Sequence, residues 1–158
     1  EDPRRQRQMC IRDRSDIDPK RLDSIKAYIQ EGDHENIRTP LLLDVTACDW
    51  AKNINGYDVI ITINIFHLIS NREMKNLIRE SSFALKRNGY FMIYGPFMRS
   101  GELISDQDFK FHNSLINYDQ EIGYKDDFDI LDEIEENNLS PEAVIEMPAN
   151  NLMFIAKK

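Results

Sequence analysis

The chain has 158 residues, with 20 lysines and arginines against 28 aspartates and glutamates, so its formal net charge is −8. This length fits a single domain of about 100–200 residues, and its hydrophobic and charged contents are ordinary for a globular protein. The acidic balance argues against nucleic acid and against an anionic membrane as partners, because both attract basic side chains. Two cysteines, Cys10 and Cys48, cannot form a disulfide framework, so the sequence predicts a reducing, cytoplasmic location.

The first 14 residues differ in character from the rest of the chain. Arg4 to Arg14 read RRQRQMCIRDR, which matches the translation of a transposase sequencing adapter. We therefore assign residues 1–14 as non-native and residues 15–158 as one domain, and we expect the natural N-terminus to be missing. The alternative is a natural basic arm. Without these residues the remaining 144 carry 15 basic and 25 acidic side chains, a net charge of −10.

The first predicted element of the genuine chain is a helix. Asp18 is a capping residue, Pro19 suits the first helical position, and Gly32 ends the helix. The apolar residues that share one helical face are Leu22, Ile25 and Ile29.

Two short apolar runs follow and predict strands. The first is Leu41 to Val45, which contains Asp44 near its end, and the second is Tyr57 to Ile63. Both are rich in aliphatic residues without alternation, which is typical of parallel strands buried on both faces. The longest apolar stretch, Val59 to Ile69, is interrupted by polar residues and is shorter than the roughly 20 residues of a membrane span.

A second helix and a third strand are predicted next. Ser70 and Glu73 form a capping box, and the helix is expected to continue through Lys86 and Arg87 to the Asn88–Gly89 turn. Tyr90 to Tyr94 then forms a strand that Gly95 and Pro96 terminate.

The C-terminal third predicts two helices and two strands. The helices are Asp106 to Tyr118 and a segment that starts at Asp126 and ends at Asn137–Asn138. The strands, Ala143 to Met147 and Leu152 to Ala156, are expected to pair antiparallel across a short spacer. This alternation predicts an α/β fold with a mostly parallel sheet and helices on both faces, with no second domain.

Polar residues at the ends of successive strands are the candidate ligand-binding positions. In open α/β sheets, ligands bind beyond the carboxyl ends of the strands. The candidates are Asp16, Asp44, Asn64 and the segment 94–97.

Five segments carry a resemblance to a known family. They are 15–18 (SDID), 43–46 (LDVT), 63–68 (INIFHL), 94–97 (YGPF) and 147–151 (MPANN). From Ser15 onward the chain resembles class I SAM-dependent methyltransferases, and within them the family called methyltransferase-like twenty-six, a domain of unknown function. The resemblance implies a Rossmann-like sheet with an antiparallel C-terminal strand pair.

The resemblance also implies that part of the fold is absent. Such proteins begin with a strand and a glycine-rich loop that holds the methionine end of SAM, and neither is found in this sequence. The family usually carries Ser-Asn before Phe-Asp in its central region, where this chain has Gln107-Asp108 and Phe111-His112. We therefore expect this chain to bind cofactor poorly and to be inactive.

The resemblance assigns four residues to S-adenosyl-L-methionine. It places Asp16 at the ribose hydroxyls, Asp44 at the adenine amino group, the Val45 backbone at the adenine ring, and Asn64 near the reacting methyl. Alternatives remain open for three of them: Asp16 caps the next helix, Asp44 caps a loop, or Asn64 is a satisfied polar residue at a strand end.

Two further residues are candidates for the chemistry. His67 is either a general base or a packed histidine, and Tyr94 either lines the acceptor pocket or is a buried tyrosine. We predict that Asn150 and Asn151 form a turn. The remaining potential metal ligands do not have ligand spacing, so no metal is predicted; they are His34, His112 and Cys48.

These features together predict a SAM-dependent methyltransferase that acts on a small molecule. Methyl transfer needs alignment of acceptor and methyl, and requires neither a nucleophilic residue nor a metal. The alternative is a non-catalytic nucleotide-binding or interaction module of the same fold. A dehydrogenase fragment is a weaker third hypothesis, and the sequence predicts no oligomeric state.

Overall fold

The computed structural model describes residues 11–32 and 34–158. The chain divides into two compact units, one ending at Val45 and the other spanning Thr46–Lys158. Residues 1–10, most of the segment assigned to the adapter, lie outside the described residues. Within the described ranges, no helix is both long and apolar enough to cross a membrane.

The first unit contains one helix and a parallel pair of short strands. These are β1 (Ser15–Asp16), α1 (Pro19–Glu31) and β2 (Leu41–Leu42). As predicted, α1 begins at the Asp18 cap, whose Oδ1 accepts from the Lys20 N–H at 2.9 Å, and ends at Gly32. Helix formation there follows from the cap and the proline that together satisfy the first turn.

The strand predicted at Leu41 to Val45 is shorter and more exposed than expected. Only Leu41 and Leu42 are strand, and their exposed fractions are 39% and 64%. The prediction that both faces are buried was wrong here. A sheet of two short strands is too small for its faces to be covered, so an apolar run does not guarantee burial.

The second unit is built on a four-stranded mixed sheet. Its elements are β3 (Tyr57–Ile63), α2 (Asn71–Ala84), β4 (Leu85–Pro96), α3 (Asp106–Tyr118), α4 (Asp127–Glu136), β5 (Ser140–Glu146) and β6 (Asn151–Lys157). The strand order is β3-β4-β6-β5. β3 and β4 run parallel, and β6 is antiparallel to β4 and β5. The α/β class and the antiparallel C-terminal pair are confirmed.

Helix α2 starts as predicted but ends early. The capping box is present, because Ser70 Oγ accepts from the Glu73 N–H and Glu73 Oε2 accepts from the Ser70 N–H. The helix stops at Ala84 rather than at Asn88, and residues 85–87 belong to β4. Leu85 is buried and pairs with Tyr57 of β3, so tertiary pairing outweighs the helical propensity of the segment.

The two faces of this sheet differ in burial. On one face, which we call the covered face, four side chains are at most 1% exposed: Phe91, Ile93, Leu152 and Phe154. The other face is exposed at β3, where the side chains of Val59, Ile61 and Ile63 are 44%, 55% and 60% exposed. We call this the open face. The prediction that β3 is buried on both faces was therefore wrong, because few of the described residues pack on this side of the strand.

Candidate functional site

A cavity of about 480 Å³ lies in the second unit, beyond the carboxyl ends of β3 and β4. Residues from five segments line it, among them Asn64, His67, Pro96, Phe111, Tyr124 and Asn151. This is the position at which open α/β sheets bind ligands. Two of the residues predicted from sequence, Asn64 and His67, are thus brought together at one cavity.

Asn64 turns the chain out of the sheet at the end of β3. Its φ is 56°, a left-handed conformation that asparagine adopts more readily than most residues. Its N–H donates to the Tyr94 carbonyl at 2.9 Å, which fixes the end of β3 against the end of β4. The asparagine has a backbone reason to be here as well as a place on the cavity wall.

His67 lies in a short 3₁₀ turn, Phe66–Leu68, and is only 6% exposed. Its ring centroid is 5.6 Å from that of Phe111 and 6.2 Å from that of Tyr124, both in edge-on contact. Burial, and then the nearby Lys125 ammonium, lower the pKa of His67 from 6.5 to about 4. The imidazole is therefore neutral near pH 7, and its buried Nδ1 has no hydrogen-bond partner among the described residues.

Lys125 lies beneath this cluster and is 6% exposed. Its Nζ donates to the carbonyl oxygens of Ile69 at 2.7 Å and Gly123 at 2.9 Å. Burial lowers the pKa of Lys125 to about 8, although the Glu73 carboxylate acts in the opposite direction. The lysine thus brings a positive charge to the base of the cavity wall.

Gly123 joins the lysine segment to the histidine turn. Its N–H donates to the His67 carbonyl at 3.0 Å, and its φ is 131°. A Cβ at this position would be 3.0 Å from Cε1 of His112, so both backbone conformation and space favour glycine. His112 is itself held by the Tyr124 N–H, which donates to its Nδ1 at 3.0 Å.

Asp108 ties three parts of the cavity wall together. It is 8% exposed and accepts from Tyr124 Oη at 3.0 Å, Ser105 Oγ at 2.6 Å and Asn150 Nδ2 at 3.0 Å. Burial alone would raise the pKa of Asp108, but these hydrogen bonds hold it below its usual value. Burial and the same carboxylate raise the pKa of Tyr124, so the tyrosine remains a protonated donor.

The MPANN segment forms the predicted turn and also contacts the site. Ala149 and Asn150 have φ values of 59° and 58°, so two consecutive residues are left-handed. Asn151 lines the cavity, and its Nδ2 donates to the Tyr94 hydroxyl at 3.1 Å. Tyr94 is half-buried and reaches the cavity wall through this contact, rather than lining the cavity itself.

The other predicted residues lie in the first unit. Asp16 is the last residue of β1, and Asp44 comes two residues after β2. The Leu43 N–H donates to the Asp16 carbonyl at 3.0 Å, so both acids lie at the carboxyl end of this parallel strand pair. Asp16 Oδ1 accepts from the Asp18 N–H at 2.9 Å, and its Oδ2 is 4.0 Å from the Arg21 guanidinium. Val45 is half-buried. Two carboxylates at strand ends suit the hydroxyl and amino donors of an adenosine.

The sequence analysis missed most of the second unit's cluster. Asp108 and Phe111 were noted only as helix residues and as departures from the family's central pattern, and Tyr124 and Lys125 fell in a connection between helices. A lone lysine carries no sequence signal for burial, because lysines are almost always exposed. The glycine before Tyr124 is the one cue available, because it indicates a tight backbone approach. Among the described residues, no group of three or more His, Cys, Asp and Glu is placed to hold a metal ion.

Solved structures with the same fold are methyltransferases. An O-methyltransferase family protein from Burkholderia thailandensis superposes with a TM-score of 0.75 at 16% identity, over 92% of this chain and 43% of that one. "PigF with SAH" gives 0.76 at 14% identity, over 92% and 47%. An O-methyltransferase family 2 protein from Planctomyces limnophilus in complex with apigenin gives 0.76 at 16%, over 92% and 42%. The chain has the Rossmann-like methyltransferase fold and spans less than half the length of these proteins.

The family is shown more directly by the sequence match. The family described as "Protein of unknown function (DUF938)" matches residues 8–158. The chain belongs to this family. The match begins inside the segment assigned to the adapter.

Proposed function

We propose that this chain belongs to a SAM-dependent methyltransferase that methylates a hydroxyl oxygen of a small molecule. The observation that carries the proposal is the cavity at the carboxyl ends of β3 and β4, with the neutral His67 in its wall. The fold it shares with proteins named O-methyltransferases, one of them solved with SAH, supports the same reaction class.

Asp16, Asp44 and Val45 are the proposed adenosine residues. Bound SAM supplies a methyl group on a positively charged sulfur. In the first unit, Asp16 would accept from the ribose hydroxyls through Oδ2, because Oδ1 already accepts from the Asp18 N–H. Asp44 is exposed and would accept from the adenine amino group, beside the Val45 backbone. In the second unit, Asn64 would orient the groups near the reacting methyl.

His67 is the proposed proton acceptor, and Tyr94 supports the acceptor site through Asn151. The neutral imidazole would accept a hydrogen bond from the acceptor hydroxyl and take up its proton on a ring nitrogen, while bound SAM would supply the methyl group and be left as SAH when its sulfur–methyl bond breaks. Because burial disfavours a charged imidazole, His67 stays in the accepting form throughout the neutral pH range. The rings of Phe111 and Tyr124 pack edge-on against the imidazole, which is 6% exposed.

Calorimetric titration with SAM, SAH and NAD tests the proposal. The extended protein is defined as residues 15–158 preceded by the residues that come before Ser15 in the gene. We expect SAH to bind the extended protein, and to bind the 158-residue chain more weakly. NAD is expected to bind neither form. Failure of both SAM and SAH to bind the extended protein overturns the methyltransferase proposal.

A matched pair of variants separates catalysis from binding in the extended protein. His67→Gln keeps a polar side chain of similar size and is expected to retain SAH binding while losing methyl transfer to hydroxyl acceptors by about 10²-fold or more. His34→Gln changes an exposed histidine of the first unit and should leave both unchanged. SAH binding without turnover on any hydroxyl acceptor would favour the non-catalytic module instead.

The remaining proposals concern the chain as a whole. We propose that it is most similar to methyltransferase-like twenty-six, that residues 1–14 are adapter-derived, and that a strand and glycine-rich loop precede the natural Ser15. We also propose a cytoplasmic location and a small-molecule partner, supported by the single cysteine, Cys48, and the net charge of −10 in residues 15–158. The genomic sequence upstream of Ser15 tests the first set directly.

A further inference from the structure

The buried lysine is the feature of the second unit that the proposed reaction does not yet use. Lys125 links two backbone segments that are separated by a short gap. Its ammonium donates to the Ile69 carbonyl oxygen, two residues after His67, and to the Gly123 carbonyl oxygen. The Gly123 N–H crosses the same gap to the His67 carbonyl. A buried ammonium costs several kcal/mol of solvation, so the site carries a strong unfavourable term for a purely structural role.

We infer that Lys125 is a positioning residue for His67: its ammonium group, hydrogen-bonded to the carbonyl oxygens of Ile69 and Gly123, fixes the backbone of the histidine turn and places a positive charge near the imidazole. The catalytic meaning of this role rests on the proposed function, because a proton-accepting His67 must be neutral before the acceptor binds. The electrostatic part stands independently of any cofactor. No charge on the histidine's own turn accounts for it, since its neighbours there are Phe66 and Leu68.

The charged groups around His67 leave the electrostatic effect of Lys125 on it largely unopposed. His67 faces Phe111 of α3 and Tyr124, and the only full charge acting on it from these segments is Lys125. The Asp108 carboxylate lies behind the Tyr124 hydroxyl, which is bonded to it. The same carboxylate also accepts hydrogen bonds from Ser105 and Asn150, so its negative charge only weakly offsets the effect of Lys125 on His67.

Two other groups complete the charge environment. Glu73 at the start of α2 acts on Lys125 and favours its charged form. His112 on α3 is disfavoured as a cation by its burial and by the same lysine. The same ammonium thus opposes a positive charge on two imidazoles, in addition to the larger effect of their burial.

NMR titration of the three histidines tests this inference on the 158-residue chain without any ligand. The Hε1 resonances of His34, His67 and His112 are assigned with single Gln variants. In the wild type we expect His67 to titrate near pH 4, and in Lys125→Met we expect its pKa to rise by about half a unit or more. Lys125→Arg keeps the charge and the donors and should restore the wild-type value.

A second readout does not depend on how well the variants fold. In the wild-type chain, the His67 resonance is expected to shift a second time as Lys125 itself loses its proton near pH 8. Lys86→Met, which removes an exposed lysine elsewhere in the second unit, should leave both shifts in place. An unchanged His67 pKa in Lys125→Met, or no second shift in the wild type, would overturn the inference. SAH binding by the extended protein is measured separately, so the two proposals fail independently.

Discussion

The covered and open faces of the second unit's sheet are made of the same kinds of residue but have different surroundings. Ile93 on β4 is 0% exposed, whereas Ile61 on β3 is 55% exposed. In the sheet register, Ile61 lies opposite Met92, one residue before Ile93, so the two isoleucines point to opposite faces. Burial is therefore decided by what packs on each face, and not by the apolar character of the strand.

The largest predicted effect comes from truncating these two isoleucines. Ile93→Ala removes buried methyl groups and leaves a cavity, so we expect it to lower the free energy of unfolding by about 2–5 kcal/mol. Ile61→Ala is the matched control and should cost less than about 1 kcal/mol, because its side chain is already half in water. Urea unfolding of both variants measures the difference. Equal losses would show that a partner covers the open face in solution.

The same contrast explains which parts of the fold the sequence could predict. Local signals succeeded: the Asp18 and Ser70 caps, and the antiparallel pairing around the MPANN turn, depend on residues close in sequence. Predictions that depend on distant residues failed. Leu85 was predicted to be helical but pairs with Tyr57, 28 residues earlier, and no residue near Leu85 indicates that partner. Edge and central strands likewise differ only in neighbours that a single strand does not encode.

The second prediction concerns a buried polar group on the cavity side. His67 has a pKa of about 4 in the folded chain against 6.5 as its ordinary value, so below pH 6.5 the unfolded chain binds the proton more readily. Stability should fall as the pH drops from 6.5 towards 4. The contribution of this group is up to about 3 kcal/mol. His67→Gln should lose that part of the pH dependence.

Thermal and urea unfolding between pH 7 and pH 4 provide the measurement. The exposed His34→Gln variant is the control and should follow the wild type. His112 is present in both chains, so its own contribution cancels in the comparison. A wild type and a His67→Gln variant with the same pH dependence would mean that the histidine is not buried as neutral imidazole.

The candidate site was predictable where a residue ends a strand, and not where distant elements meet. Asn64 directly follows β3 and His67 lies in the turn just after it, so strand-end reasoning placed them at the cavity. Lys125 and Asp108 reach it from a connection and from α3, and their roles depend on tertiary contacts with Ile69 and Tyr124. Residue type misleads in such cases, because buried lysines and aspartates are rare and look like surface residues in a sequence.

The third prediction tests the turn that holds the cavity wall. Asn150→Ala removes the bond to Asp108 and places an alanine at a φ of 58°, so we expect a loss of about 2 kcal/mol in unfolding free energy. Asn150→Gly removes the same bond but adopts the backbone freely, and should lose less. Urea unfolding compares the two. If glycine and alanine cost the same, backbone conformation is not a reason for asparagine here.

The smallest effect is predicted for a charge pair at the start of the edge strand. Lys86 Nζ lies 3.0 Å from both carboxylate oxygens of Asp58, a geometry as good as that of Lys125, yet the two side chains are 53% and 82% exposed. Water solvates both charges whether or not they pair, so Lys86→Met should change stability by less than about 0.5 kcal/mol. Unfolding at low and high salt measures it, and the difference should shrink as salt rises. A loss of more than about 1 kcal/mol that salt does not reduce would mean that water does not reach this charge pair at the sheet edge in solution.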